Sequence, residues 1–143
     1  MYNQIASNIR RSYVLIFFFI LVVAGIGYVF SLYTRLGPWV MPIAVGFAIA
    51  MSWGSYYYSD QIVLGMSGAV EVTKQDELQL WNVVEGLALA AGLPMPRLYV
   101  IEDSAPNAFA TGRDPHHAAL AVTRGLLTKM NRLELEGVVG HEM

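Results

Sequence analysis

The chain has 143 residues, no cysteine and a formal net charge of −2, with 55% apolar against 14% charged residues. That balance is too apolar for an ordinary soluble domain, and no basic run is dense enough for a nucleic-acid surface. Without thiols there are no disulfides and no thiolate metal sites, so any metal has to be held by His, Asp or Glu.

The charges are unevenly placed. All eleven acidic residues lie from Asp60 onward, and between Ser12 and Ser59 the single charged residue is Arg35. Two parts follow: a membrane part, residues 1–60, and a domain of residues 61–143, near the lower size at which a core stabilises itself.

Arg10 and Arg11 precede an apolar run from Tyr13 to Tyr33. About twenty residues at 1.5 Å rise cover roughly 30 Å, the hydrocarbon thickness of a bilayer, so residues 13–33 are expected to span it. A cleaved signal peptide is the competing reading; the run is too long for one and no small-x-small site follows. Residues 34–37 form a tight link, and Pro38 opens a second span, residues 38–58, at a helix start where its missing amide does no harm. Gly46, Ala50 and Gly54, and beside them Ala44, Ala48 and Ser52, make one side of this helix nearly smooth, as in helices that touch in lipid or simply in ordinary membrane-helix usage. Arg10, Arg11 and Lys74 on one side against Arg35 on the other place both termini in the cytoplasm by the positive-inside bias.

Residues 61–72 read as a short connector, with Gly65 and Gly68 as flexible points. Thr73 and Asp76 offer a cap for a helix running to Ala91, with Leu78, Trp81, Val84, Leu87, Ala88 and Ala91 along its core side and Gly92 ending it. From Arg97 the period changes to two. Residues 97–102, 107–111 and 118–123 read as three short strands in a meander, and residues 125–130 as a brief helical turn.

The last stretch, NRLELEGVVGHEM, reads as a capped helix. Asn131 is the N-cap, Glu134 completes a capping box, and Leu135, Val138 and Val139 form the apolar stripe. Gly137 and Gly140 each cost about 1 kcal/mol there, which suggests a neighbour packed close to the backbone. A zinc peptidase needs two histidines one helical turn apart, with a glutamate beside the first. His141 and Glu142 fit the first two roles; the second histidine would fall two residues past Met143. The plainer reading is a capped surface helix with a chance His-Glu pair. His116 and His117 follow Asp114 and Pro115 and read as a solvated turn rather than as ligands, and Arg113 beside them as surface charge.

The order helix, three strands, His-Glu helix is that of a zincin catalytic half. In PNAFATG, AVTRGLL and LEGVVGHEM, residues 92–143 resemble the HtpX-type membrane metalloproteases, relatives of the type I CAAX prenyl proteases, and the helical hairpin resembles theirs too. The implied fold is α+β: a transmembrane hairpin followed by the N-terminal part of a zincin-like domain. The implied function is a zinc endopeptidase of the cytoplasmic (inner) membrane, stress-induced in many bacteria, acting on misfolded membrane proteins or unfolded polypeptides from a cytoplasmic domain. His141 would be the first Zn2+ ligand and Glu142 the general base toward the attacking water. Asn107 would lie near the substrate backbone, and residues 118–123, with Ala118, Leu120 and Val122, would be the edge strand on which an extended substrate pairs. The remaining ligands would follow Met143, so this polypeptide alone is expected to be inactive. The alternative is a non-catalytic, membrane-anchored module that binds extended polypeptide by strand addition.

Overall fold

The computed structural model describes residues 2–34, 37 and 39–143, with side chains from Ile5 onward. The expectations about Arg35 and Pro38 lie outside the described residues. The chain divides into two compact units, residues 1–57 and 58–143.

The first unit is a pair of helices, α1 (Tyr2–Tyr33) and α2 (Val40–Tyr57). Helix α1 starts at Tyr2 rather than at Tyr13, because nothing in residues 2–12 breaks a helix. Apolar stretches of 29 and 18 residues, Ile5–Tyr33 and Val40–Tyr57, are long enough to cross a membrane. Leu15, Ile26, Leu32 and Phe47 are each between 64% and 69% exposed, a surface suited to lipid rather than water.

The helices approach closely at Gly27, where an added Cβ would stand 3.3 Å from Ala44 Cβ and 3.5 Å from Met41 Cα. Ala48 is buried at 3% exposure, whereas an added Cβ at Gly46 or Gly54 meets nothing within 4 Å. Only one of the two small-residue rows on α2 therefore packs within the described pair. Gly27→Leu is expected to part the helices, read as loss of NOE contacts between residue 27 and residues 41–44 in micelles. Gly25→Leu, where a side chain meets open space, should leave those contacts intact.

The second unit begins with α3 (Ser59–Met66) and β1 (Val70–Glu71), where a plain connector was expected. Gly65 is accommodated inside the helix, and Gly68, at φ +64°, makes the turn out of it. Helix α3 is tied to the sheet by Asp60, whose buried carboxylate sits 2.5 Å from Arg97 Nη2. Arg97 Nη1 also donates to Tyr99 Oη at 3.1 Å, and that hydroxyl donates to Glu71 Oε2 at 3.3 Å. Burial is the main cause that pushes the Tyr99 phenol above its ordinary pKa; the nearby Arg97 charge opposes it, and the Glu71 and Asp60 carboxylates reinforce it.

Helix α4 (Leu78–Ala91) starts later than expected, although Asp76 does reach back to accept from Thr73 N at 2.8 Å, as in a capping box, and from Thr73 Oγ1 at 2.6 Å. Its buried face is Leu80, Val83, Val84 and Ala88; of the expected stripe, Val84 and Ala88 are buried and Trp81 and Leu87 pack against the core, whereas Leu78, 58% exposed, and Ala91 face outward. Gly92, at φ +65°, closes the helix as expected.

Strands β2 (Arg97–Ile101), β3 (Ala108–Thr111) and β4 (Ala119–Thr123) form one sheet with β1, in the order β1-β2-β4-β3. The pair β2–β4 is parallel and the other two pairs are antiparallel, so the expected meander is replaced by a crossover in which β3 lies outside β4. Leu98, Val100, Leu120 and Val122 point to one face and join α4, α5 (Arg124–Lys129) and α6 (Arg132–Glu142) through Val84, Leu126, Leu135 and Val139. Tyr99, Ala119 and Ala121 point to the other face and meet Leu64 of α3. This alternation is the period of two expected of a strand.

Candidate functional site

Helix α6 is built as its sequence dictates. Asn131 Oδ1 accepts from Leu133 N at 2.9 Å and Glu134 N at 3.1 Å, and Glu134 Oε2 accepts from Asn131 N at 2.9 Å, a complete capping box. Leu135 and Val139 are fully buried and fix the rotation of the helix, which packs on α4 and lies beside β3. With that face turned inward, His141 is exposed and Glu142 half-buried. Among the described residues the glycines of α6 have no close neighbour, contrary to expectation: an added Cβ at Gly137 meets nothing within 4 Å, and at Gly140 only Leu87 Cδ2 at 3.9 Å.

An exposed imidazole on a rigid helix suits a metal ligand, but among the described residues no group of three His, Asp or Glu side chains gathers around a common point. These residues alone do not close around an ion.

The substrate-strand expectation is corrected. Strand β4 is not at the edge; it lies between β2 and β3, and Leu120 and Val122 are 1% and 0% exposed within the core. Ala118 precedes the strand, and its carbonyl accepts from Arg97 N at 3.1 Å. A strand paired on both sides has no backbone groups left for a peptide. The outermost strand on this side is β3, next to α6.

Which atoms β3 offers follows from its register. Thr123 N donates to Asn107 O at 2.9 Å, and the register continues Ala108↔Val122, Phe109↔Ala121, Ala110↔Leu120 and Thr111↔Ala119. Hydrogen-bonded pairs alternate along an antiparallel ladder, so Phe109 and Thr111 bond to β4 while the backbone groups of Ala108 and Ala110 point outward. Asn107 stands exposed at the head of this strand, with its Oδ1 accepting from Ala108 N at 3.0 Å.

The loop feeding β3 is held firmly, by residues whose part was not evident from the sequence. Thr123 Oγ1, 4% exposed as a residue, accepts from Asn107 N at 2.9 Å and Leu126 N at 3.2 Å and donates to Ala105 O at 2.7 Å. Arg124 bonds to Glu102 through Nε at 3.1 Å and Nη2 at 2.8 Å, and through Nη1 to Glu77. The hydrogen bonds to Glu102 and then Glu77 raise the guanidinium further above its ordinary pKa, so both carboxylates always face a cation. The faint signal for this role was Thr123 before Leu126, a helix-capping spacing.

At the other end of β3, Asp114 organises the turn. Its Oδ1 accepts from His116 N at 2.9 Å and His117 N at 3.0 Å and lies 2.7 Å from His117 Nδ1, while its Oδ2 is 3.5 Å from Arg113 Nε. His116 and His117 are exposed, as a solvated turn requires. Partial burial works to raise the Asp114 carboxyl, but the His117 ring and the His117 and His116 amides outweigh it and hold the group below its ordinary value. A depressed carboxyl stabilises the fold fully above the unfolded pKa of about 3.9, and that contribution is lost as pH falls through the lower folded value. Amides 116 and 117 are therefore expected to keep their exchange protection down to the ordinary carboxyl value of about 3.9 and to lose it only as pH falls further, and Asp114→Asn should loosen them at neutral pH.

Known proteins bear on this arrangement. Residues 74–143 match Peptidase family M48. Along its whole length the chain is 43% identical, over 143 residues, to the Protease HtpX homolog of Thermoanaerobacter pseudethanolicus (strain ATCC 33223 / 39E), and covers 48% of that protein. It is 47% identical over 146 positions to the Protease HtpX homolog of Streptococcus pneumoniae (strain Taiwan19F-14), again covering 48% of the relative. The chain spans about half the length of the curated relatives it matches. The hairpin of apolar helices, the mixed sheet and the capped His-Glu helix thus fall within a single similarity, and the chain belongs to the HtpX-type proteins of Peptidase family M48.

Proposed function

We propose that residues 1–143 supply the membrane anchor and the substrate-binding half of a zinc-dependent endopeptidase of the cytoplasmic membrane, with the domain that follows Tyr58 in the cytoplasm. The observation that carries this reading is the placement of α6, bearing His141 and Glu142, beside a sheet whose outermost strand β3 turns two residues of backbone outward. An extended polypeptide adding to β3 would be held alongside that helix, in the manner of other edge-strand binders. Unfolded or misfolded membrane proteins, which present such segments, are the substrates this fits, and protein quality control under stress is the corresponding role.

In this reading His141 would hold the ion through one ring nitrogen, and Glu142 would take the proton of the attacking water. The ion would supply Lewis acidity, with its other protein ligands contributed from outside residues 1–143. Strand addition replaces the part first expected of Ala118, Leu120 and Val122 with Ala108 and Ala110, and keeps Asn107 near the bound backbone.

The test joins residues 1–143 to the C-terminal half of the Thermoanaerobacter pseudethanolicus relative and reconstitutes the chimera in proteoliposomes with zinc. Cleavage of casein by the chimera, abolished by a chelator, and none by residues 1–143 alone is the expected result. A folded chimera that binds casein without cutting it, or cleavage by residues 1–143 alone, would overturn the assignment. Protease protection of the segment after Tyr58 in right-side-out vesicles checks the orientation.

A further inference from the structure

Helix α3 buries one side and exposes the other. Asp60 and Leu64 face inward, the carboxylate on Arg97 and the leucine against Tyr99, Ala119 and Ala121. Ile62 and Met66 lie one turn apart on the opposite side, with Val63 at its margin, Tyr58 just before the helix and Val70 just after the turn at Gly68. All five are exposed, Met66 at 85% and Val70 at 63%. Asp60 is the one charged residue of Ser59–Met66, and it is turned inward, so the outer side carries no charge. Among the described residues of the second unit, the other exposed large apolar side chains, Leu78, Leu89 and Leu133, are scattered over α4 and α6.

We propose that the outer side of α3, continued by Val70, is a lipid-docking face that lies in the headgroup and acyl boundary of the bilayer crossed by α2. What selects lipid over another partner is the length of the chain. Tyr58 alone separates the end of α2 from the start of α3. Eight helical residues extend about 12 Å, and the headgroup layer is about 5–8 Å deep on each side of the hydrocarbon. In whatever direction α3 leaves the span, its first turn stands in that layer, and its last residue is no more than about 15 Å from Tyr57. A face this short is too weak to hold a protein on a membrane alone, but the span makes the contact intramolecular. With no charge on the face, burial of apolar surface drives the docking and neutral lipid satisfies it.

Docking at α3 orients the domain, because the helix is bonded to the sheet through Asp60 and Arg97 and packed on it through Leu64. The sheet face that bears α3 turns to the lipid, and the face that bears α4, α5 and α6 turns to water. The proposal rests on one part of the reading above, that α2 crosses a bilayer. It uses neither the side on which the domain lies nor the chemistry of α6.

The chain has no cysteine, so single nitroxide labels can be attached after Met66→Cys, Val70→Cys, Leu133→Cys or Phe47→Cys. Residues 1–143 are placed one copy to a nanodisc of phosphatidylcholine, and collision of each label with oxygen, which concentrates in lipid, is compared with collision with a water-soluble nickel chelate. The oxygen-to-nickel ratio at positions 66 and 70 is expected to exceed severalfold that at Leu133, which is comparably exposed at 79%, and to approach that at Phe47 in the span. Adding Ile62→Asp should lower the ratio at position 70 to the Leu133 value, while exchange protection of the Leu98 and Leu120 amides in the core stays unchanged. Ratios at 66 and 70 no higher than at Leu133, with Phe47 in lipid, would overturn the docking and leave the span standing. A water-like ratio at Phe47 would overturn the span and the docking with it. A ratio at position 70 that Ile62→Asp leaves high would mean that this face is not what meets the lipid. In the chimera with the C-terminal half of the Thermoanaerobacter pseudethanolicus relative, labels at 66 and 70 shielded from both reagents would mean that protein covers the face, and would likewise overturn the proposal.

Discussion

Glu142→Gln in the chimera is expected to lower casein cleavage by about 10²- to 10⁴-fold, the range a positioned general base contributes. The substitution is nearly isosteric and the side chain is half-buried at the end of α6, beyond the buried Leu135 and Val139 that hold the helix. Fold and zinc content should therefore survive, and the loss should fall on kcat rather than on KM, because in the proposed role the carboxylate would act only where a proton is transferred. The readout is single-turnover cleavage together with metal analysis of the purified variant. Loss of activity accompanied by loss of zinc would instead make the glutamate part of the metal site's architecture. Full activity in Glu142→Gln would remove the catalytic role from this residue.

The helix that carries this pair was legible because its determinants are local. Asn131, Glu134 and the stripe at Leu135, Val138 and Val139 lie within nine residues and require no partner to be recognised. The sheet order was not, although the sequence held a sign of it. The run Ala118 to Val122 is apolar at every position, which suits a strand buried on both faces and paired on both edges, while Asn107 to Thr111 is more polar, as an edge strand tends to be. A meander joins neighbours in sequence and was the simpler topology; the parallel β2–β4 pair spans β3 and depends on contacts between residues 22 positions apart, which no local pattern encodes. Helix α3 was missed for the same reason. Asp60 is buried by its pairing with Arg97, 37 residues away, and Leu64 by its place under Tyr99, Ala119 and Ala121, so the segment acquires its inward side only from the folded sheet. In α4 ten of the fourteen residues from Leu78 to Ala91 are apolar, so periodicity found Val84 and Ala88 but not Leu80 and Val83, which the sheet selects.

Thr123→Val should be the most damaging single change near the binding edge, costing about 2–5 kcal/mol. The valine keeps the shape of threonine but removes the oxygen that accepts from Asn107 N and Leu126 N and donates to Ala105 O. Two backbone N–H groups then lie without their acceptor beside a residue that is 4% exposed, each costing on the order of 1–3 kcal/mol. One of them opens β3 and the other starts α5, so the loss falls on the segment that presents Asn107, Ala108 and Ala110. Gly125 compounds the constraint, since an added Cβ would stand 2.1 Å from the Ser104 carbonyl oxygen, inside any permitted contact. Gly125→Ala must displace the 102–106 loop, at a further cost of about 1–3 kcal/mol. Thr123→Ser retains the hydroxyl and should stay close to the native protein, losing a methyl group but none of the three hydrogen bonds. In urea titrations followed by exchange at residues 104–111, the valine and alanine variants are expected to open the β3 edge well before the Leu80–Leu98–Leu135 core unfolds, and the serine variant to open it together with that core. Equal protection of β3 in Thr123→Val and Thr123→Ser would mean that the hydroxyl does not hold this loop. The rigidity on which a fixed binding register depends would then have to come from the Arg124 bridge to Glu102 and Glu77.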